Sequence, residues 1–222
     1  SAHMTFAEKT GMRSFAVKAG DILMNPEYYS NCFRKPLIIV PSRSGKTTEV
    51  LKAIEILRQA YGDIRAFSIV EYTDSPLENF SDSTILLPWA NEKSVCQTRS
   101  FSNLYLCTAA ISALVRNDTK LINDIVCYLN LTPKLFLNME AKILSIVENF
   151  KDCNYLVSLG SGKQYGVAVE GAYIGIEMAV FPANYYGILE LRHGPIVRLD
   201  ENSLVCIISN NEARNYEESI AA

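Results

Sequence analysis

The sequence has little of what marks several whole classes of protein. No apolar run in it approaches the roughly 18 residues that a membrane span requires. Its start lacks the charged segment, apolar stretch and cleavage site of a signal peptide. Basic residues are scattered, and 21 Lys and Arg are outnumbered by 24 Asp and Glu, so nothing indicates nucleic-acid binding. We therefore expect a cytoplasmic protein that binds neither nucleic acid nor membrane.

Histidine and closely spaced cysteine are scarce as well. The sequence has two histidines, and its six cysteines lie far apart without any Cys-x-x-Cys pair. A zinc site or a disulfide framework needs closer spacing, whereas cysteines inside apolar stretches are typical of buried thiols. We predict no metal site, and buried, reduced thiols at Cys32, Cys96, Cys107, Cys127, Cys153 and Cys206.

The first part of the chain has the pattern of an α/β sheet. The 222 residues, 49% of them hydrophobic, can form one domain or two small lobes. An apolar run at residues 35–40 predicts a buried parallel strand, and the helix that follows should end near Gly62. Residues 64–72 and 83–89 are also typical of strands. This order of elements favours an open α/β sheet with right-handed crossovers.

The pattern becomes helical from Thr98 to about Lys151, where we predict three helices. The third of them would begin with Thr132 as its N-cap, and Pro133 would occupy its first turn.

Strand signals return near the end of the chain, at residues 154–160 and 203–209. Between them lie a Gly-rich turn and a helix that begins near Lys163. We predict two lobes: a first lobe with its helical connector at residues 5–131, and a second, incomplete lobe at residues 132–222.

Three hydroxyl side chains, Ser42, Ser44 and Thr47, lie where the first strand leads into its helix. At such a junction, hydroxyls and the free backbone N–H groups of the helix start can hold one phosphate. A nucleotide P-loop would need Gly where Val40 stands, so a triphosphate is not favoured. The alternative interpretation is that Ser42 and Thr47 only cap the helix.

A second group of chemically useful side chains lies in residues 170–193. Glu170 and Glu177 are seven residues apart and so share one face of the predicted helix, which is otherwise apolar. His193 follows them in a Gly-Pro turn. Glu and His can move protons near neutral pH, although a helical Glu is usually solvated and a single His is more often a packing residue.

These segments resemble the sugar isomerase (SIS) domain family. "PSRSGKTTEV" is similar to the SxSGxT phosphate loop of that family, and "NEKSVCQTRSF" to its E-x-x-V-x-x-T-K-x-F segment. "GSGKQYGVAVEGAYIGIEMAVFPANYYGILELRHGP" resembles the second lobe of the isomerase module of glucosamine-6-phosphate synthase. The resemblance implies an α/β fold of two SIS lobes, each a parallel sheet flanked by helices in three layers, and usually a homodimer.

The resemblance also implies roles for individual residues. Glu177 would move the proton between C1 and C2 of the sugar, and His193, which the neighbouring subunit supplies in the synthase, would open the sugar ring. Phosphate would be held by Ser42, Arg43, Ser44 and Thr47, and the sugar hydroxyls by Val95, Gln97 and Thr98.

Several positions depart from the family pattern. Arg43 stands where the family has Gln, Lys46 where it has Glu, and Ile174 where a Lys precedes the catalytic Glu. No glutaminase segment precedes the module, and neither the family's first strand nor its C-terminal Lys is present. From this we expect an internal portion of a longer protein.

The function implied is that of an enzyme acting on a sugar phosphate. It would be an aldose-ketose isomerase or deglycase for an amino-sugar or fructosamine 6-phosphate, and it would need no metal or organic cofactor. The alternative is a regulatory SIS module that senses a sugar phosphate without turning it over, but a sensor has no need of Glu177 and His193. A P-loop NTPase is a distant third.

Overall fold

The computed structural model describes residues 1–33, 35–210 and 214–215. The chain divides into two compact units. The central unit is Ser14–Thr108, and the composite unit combines Ser1–Arg13 with the chain from Ala109 onward. This division reflects compactness, and it separates the chain between Thr108 and Ala109 rather than between residues 131 and 132. The lobe boundary at residues 131 and 132 stays a prediction.

The elements of the described residues follow in chain order. The helices are α1 Ala2–Thr10, α2 Ala19–Met24, α3 Pro26–Cys32, α4 Thr48–Tyr61, α5 Pro76–Phe80, α6 Arg99–Arg116, α7 Thr119–Asn149 and α8 Tyr165–Ala179. The strands are β1 Ile38–Ser42, β2 Ala66–Val70, β3 Ser83–Leu86, β4 Tyr155–Gly160, β5 Ala183–Tyr186 and β6 Ser203–Ile208.

The central unit contains a parallel sheet in the order β1-β2-β3. Its middle strand is the most buried, as expected of a strand covered on both faces, and Val70 has no exposed surface. Helix α4 places Ile54 against Val40 and Val70 in the core, because apolar residues recur along one face of the helix. The carboxyl ends of β1 and β2 therefore stand side by side, with Ser42 level with Val70.

The composite unit contains a second parallel sheet in the order β5-β4-β6. Its middle strand β4 buries Val157 and Leu159 completely. Helix α8 packs closely on this sheet, since a Cβ added at Gly175 would lie 3.1 Å from the Leu156 side chain. At the amino end of the chain, Lys163 Nζ lies 2.6 Å from Glu8 Oε2, which ties α1 to this unit. The predicted α/β class with parallel sheets flanked by helices is thus confirmed.

Strand β5 was not predicted. The segment Ala183–Tyr186 pairs with β4, although it is only four residues long. A strand this short carries too little alternation to be recognised from its pattern.

The helical region differs from the prediction of three helices. The second and third are one continuous helix, α7, with Pro133 in its interior. The prediction of Thr132 as an N-cap is wrong, because its hydroxyl donates to the carbonyl oxygen of Tyr128 at 2.7 Å. That bond returns to a carbonyl one turn earlier, and the helix continues through Pro133 although no residue of α7 is buried.

The cysteines are free thiols, but the prediction that they are buried is wrong. Cys32, Cys127 and Cys206 are exposed, and the other three are intermediate. Over the described residues, no helix combines the length and the apolar character needed to cross a membrane.

Candidate functional site

The candidate site of the central unit begins where β1 ends. The chain turns sharply at Gly45, whose φ of +62° lies in the left-handed region that favours glycine. A Cβ at this position would stand 2.6 Å from Ser75 Oγ, so the turn is also too crowded for a side chain. The Gly45 carbonyl accepts a hydrogen bond from Leu77 N at 3.1 Å. The loop is therefore fixed to the start of α5 before α4 begins.

The three predicted hydroxyls lie along this loop. Ser42 Oγ accepts from Gly45 N at 3.0 Å, and Ser44 Oγ accepts from Lys46 N at 3.3 Å. A hydroxyl that accepts in this way still has its own O–H to donate. Thr47 is the N-cap residue of α4, but its side chain makes no capping hydrogen bond there. The capping interpretation requires a hydroxyl to bond to the backbone at the start of α4, and Thr47 makes no such bond. The start of α4 remains a suitable place for an anion.

A second loop, residues 93–97, lies beside the first. The Arg43 guanidinium donates to Ser94 O at 2.8 Å and to Val95 O at 3.2 Å. The structure therefore brings together the segments predicted to bind phosphate and to bind the sugar. The side chain of Val95 is 91% exposed, so this loop faces outward with only its backbone held.

Glu92, a residue without a predicted role, closes the base of this second loop. Its side chain is only 4% exposed. Its oxygens accept from Thr98 Oγ1 at 2.8 Å, from Thr98 N at 3.1 Å and from Ser100 N at 2.7 Å. Burial alone would raise the pKa of Glu92, but the hydrogen bonds from Ser100 and Thr98 outweigh it and lower the pKa to about 2. Glu92 is thus an anion that caps the start of α6 from outside the helix.

Glu71 is a second buried carboxyl group below the loops. Its side chain is 1% exposed, and Oε2 accepts from Ser100 Oγ at 2.7 Å. Its Oε1 is buried and has no hydrogen-bond partner among the described residues. Burial raises the pKa of Glu71, although the bond from Ser100 opposes this rise. Ser100 therefore joins two carboxyl groups, one through its backbone N–H and one through its hydroxyl.

Sequence reasoning missed both carboxyl groups as parts of this site. Glu71 directly follows the last residue of β2. Glu92 is the first residue of the E-x-x-V-x-x-T segment, and its place in that segment was the signal that could have identified it.

The predicted proton-transfer residues lie in the composite unit. Glu177 is on α8 two turns after Glu170, and its side chain is exposed. Tyr173, one turn before Glu177, is exposed as well, so the apolar face predicted around Glu177 is present but uncovered. His193 is also exposed and directly follows a 3₁₀ turn, with its backbone N–H bonded to Glu190 O at 3.0 Å.

Comparisons with known proteins agree with this fold. The model of the SIS domain family matches residues 1–116 and 149–221. Over 187 residues the chain is 29% identical to glutamine--fructose-6-phosphate aminotransferase [isomerizing] of Escherichia coli strain K12, a match that covers 81% of this chain and 30% of that protein. The chain thus spans less than a third of that relative's length.

Solved structures show the same architecture. Glucosamine-6-phosphate deaminase from Thermotoga maritima has a TM-score of 0.82 at 24% identity, over 98% of this chain and 67% of that one. Tagatose-6-phosphate ketose/aldose isomerase from Escherichia coli has a TM-score of 0.79 at 22% identity, over 99% of this chain and 62% of that one. At these identities the likeness establishes the fold alone.

Proposed function

The chain belongs to the SIS domain family, and on that premise we propose that it is an aldose-ketose phosphosugar isomerase or deglycase. Its substrate would be an amino-sugar or fructosamine 6-phosphate. Its relatives include an isomerizing aminotransferase by sequence and sugar-phosphate enzymes by fold.

One observation carries the proposal: hydroxyls that do not cap the helix line the loop at the start of α4. Ser42, Ser44 and Thr47 would donate to the oxygens of a single phosphate, and the partial positive charge of the helix start would stabilise its charge. Val40 is a buried strand residue, which leaves no glycine for the deeper cradle of a nucleotide pyrophosphate. The binding site thus suits a monophosphate ester.

The sugar would extend from this phosphate toward the second loop. There the backbone of Val95 and the side chain of Gln97 would contact its hydroxyls, with Thr98 beside them. Thr98 is already fixed by Glu92, so this end of the loop is rigid before any ligand binds. A rigid contact of this kind favours specificity for one arrangement of hydroxyls.

The reaction would use the two exposed groups of the composite unit. His193 would transfer a proton to or from the ring oxygen as the ring opens. The Glu177 carboxylate would then remove the proton from C1 of the open-chain ketose, and the C–H electron pair would form a C1–C2 double bond while the C2 carbonyl π pair moves to its oxygen, which takes up a proton. The enediol or enolamine would regain a proton at C2 from Glu177 as its C1 hydroxyl or amine loses a proton and becomes a C1 carbonyl or imine. Such proton transfer contributes roughly 10²- to 10⁴-fold to the rate.

The direct test offers hexose 6-phosphates and fructosamine 6-phosphates to the full chain and identifies the products by NMR. Interconversion of an aldose and a ketose, or release of an amine from a fructosamine, supports the enzyme. Binding of a sugar phosphate without any product identifies the sensor instead. Preference for ATP over every sugar phosphate would refute both.

We also propose that the protein is a homodimer and acts in the cytoplasm. Apolar side chains of α7 such as Phe136 and Leu137 are exposed, and a second copy is one way to cover them. Sedimentation at micromolar concentration would show a dimer, and a monomer over the whole concentration range would contradict this part of the proposal.

A further inference from the structure

Arg43 makes contacts that a phosphate ligand does not need. Its guanidinium donates to two successive backbone carbonyls, Ser94 O at 2.8 Å and Val95 O at 3.2 Å. The planar fork of arginine suits two acceptors side by side, which a lysine ammonium cannot match in a fixed geometry. The side chain therefore holds the middle of the loop at residues 93–97.

The backbone of Arg43 is itself firmly placed. Its carbonyl oxygen accepts from Glu71 N at 3.1 Å, which continues the pairing of β1 with β2 beyond their last residues. The positive charge of the guanidinium also acts on the buried Glu71, where it opposes the rise in pKa that burial causes. Arg43 thus connects the rigid end of the sheet to the neighbouring loop.

The loop at residues 93–97 has two points of attachment in this arrangement. Glu92 closes its base through Thr98 and Ser100, and Arg43 holds its middle. The side chains of Lys93, Ser94, Val95 and Gln97 are exposed. Because these side chains bury little surface, the position of the loop backbone depends strongly on the guanidinium.

From these contacts we infer that Arg43 is a positioning residue for the sugar rather than a ligand of the phosphate. It sets the Val95 carbonyl and the Gln97 side chain at a fixed distance from the phosphate loop, and so determines which sugar fits between them. This inference rests on the proposed sugar-phosphate function. It predicts that the loss of Arg43 weakens sugar recognition and spares the recognition of phosphate itself.

The test compares Arg43→Gln, Arg43→Lys and the control Lys46→Gln. Lys46 is an exposed residue of the same loop, so Lys46→Gln removes one positive charge without touching residues 93–97. Calorimetry measures two probes, inorganic phosphate and fructose 6-phosphate. Thermal unfolding of each variant confirms that it is folded.

We expect both Arg43 variants to bind inorganic phosphate as the wild type does. Fructose 6-phosphate should bind about tenfold more weakly, which corresponds to about 1.4 kcal/mol, and Arg43→Lys should not restore it because a single ammonium cannot hold both carbonyls. The inference would be overturned if Arg43→Gln weakened the binding of both probes equally, by about as much as Lys46→Gln does, and if Arg43→Lys restored the binding of both. Arg43 would then be a ligand of the phosphate.

Amide hydrogen exchange provides a readout that needs no ligand. The backbone N–H groups of Thr98 and Ser100, which are bonded to Glu92 at the end of this loop, should exchange faster in Arg43→Gln than in the wild type or the control. If the wild type binds neither probe, the proposed function fails, and faster exchange would still support the positioning role. Unchanged exchange in Arg43→Gln would overturn it whatever the ligand data show.

Discussion

Replacing Glu92 by Gln tests whether a buried anion holds the base of the second loop. Gln has the shape of Glu but one acceptor oxygen instead of two. In the least costly orientation the amide oxygen keeps the bond from Ser100 N, and the amide nitrogen takes the place of Oε1. The Thr98 hydroxyl, which donates to Oε1 at 2.8 Å, would have to turn and accept instead.

The expected loss of stability follows from the hydrogen bonds to Glu92, whose acceptor is no longer charged in the variant. Hydrogen bonds to a charged acceptor are about twice as strong as neutral ones, and each is worth about 1.5 to 3 kcal/mol. A negative charge at a helix start adds about 0.3 to 1 kcal/mol, while removing the buried charge returns part of the desolvation cost. We expect Glu92→Gln to lower the free energy of unfolding by about 1.5 to 3 kcal/mol at neutral pH.

The pH dependence gives an independent check on the same group. The pKa of Glu92 is lowered from its ordinary 4.5 to about 2 in the folded chain. A lowered pKa means that its stabilisation is complete above pH 4.5 and is lost as the pH falls toward 2. The difference in unfolding free energy between wild type and Glu92→Gln should therefore be constant near neutral pH and shrink in acid.

Urea denaturation followed by circular dichroism measures this difference. Glu55→Gln, on the exposed side of α4, is the matched control and should change stability by less than about 0.5 kcal/mol. Equal stability of Glu92→Gln and wild type, or a difference that does not shrink in acid, would refute the reasoning.

Three further changes test the rest of the site. Ser44→Ala or Thr47→Val should weaken sugar-phosphate binding by about 1 to 3 kcal/mol in calorimetry. Unchanged affinity in both variants would refute the proposal that this loop binds the phosphate. Glu177→Gln should leave binding nearly intact but stop the exchange of the C1 or C2 proton with solvent; wild-type deuterium incorporation would place the chemistry elsewhere. Gly45→Ala should destabilise the central unit by more than about 1 to 2 kcal/mol because of its left-handed backbone and the adjacent Ser75, so an unchanged urea midpoint would contradict the crowded turn.

The parts of the fold that the sequence predicted are those with a local signal. The apolar run at residues 35–40 and the helical spacing after it predicted β1 and α4 to within a few residues, because both patterns depend only on near neighbours. The hydroxyls at their junction were identified for the same reason. Strand β5 was missed because four residues are too few to show the two-residue alternation of a strand.

Pro133 shows why the local signal failed elsewhere. Proline disfavours a helix interior by about 3 kcal/mol, and this local rule predicted a break before it. In the structure the helix continues through Pro133, with the Thr132 hydroxyl bonded to Tyr128 O. The cysteine prediction failed similarly, since an apolar sequence neighbourhood does not decide which side of an element faces the interior.

The sequence by itself determined the class of fold and the position of the loop that we propose binds phosphate, since a strand, a turn with Gly45 and a helix start are adjacent in the chain. Only the tertiary structure decided what stands next to that loop. Arg43 meets the carbonyl of Ser94, 51 residues away along the chain, because the order β1-β2-β3 brings both segments to one end of the sheet. Contacts at such separation depend on how strands pair and cross over, and no periodicity in the sequence records that pairing.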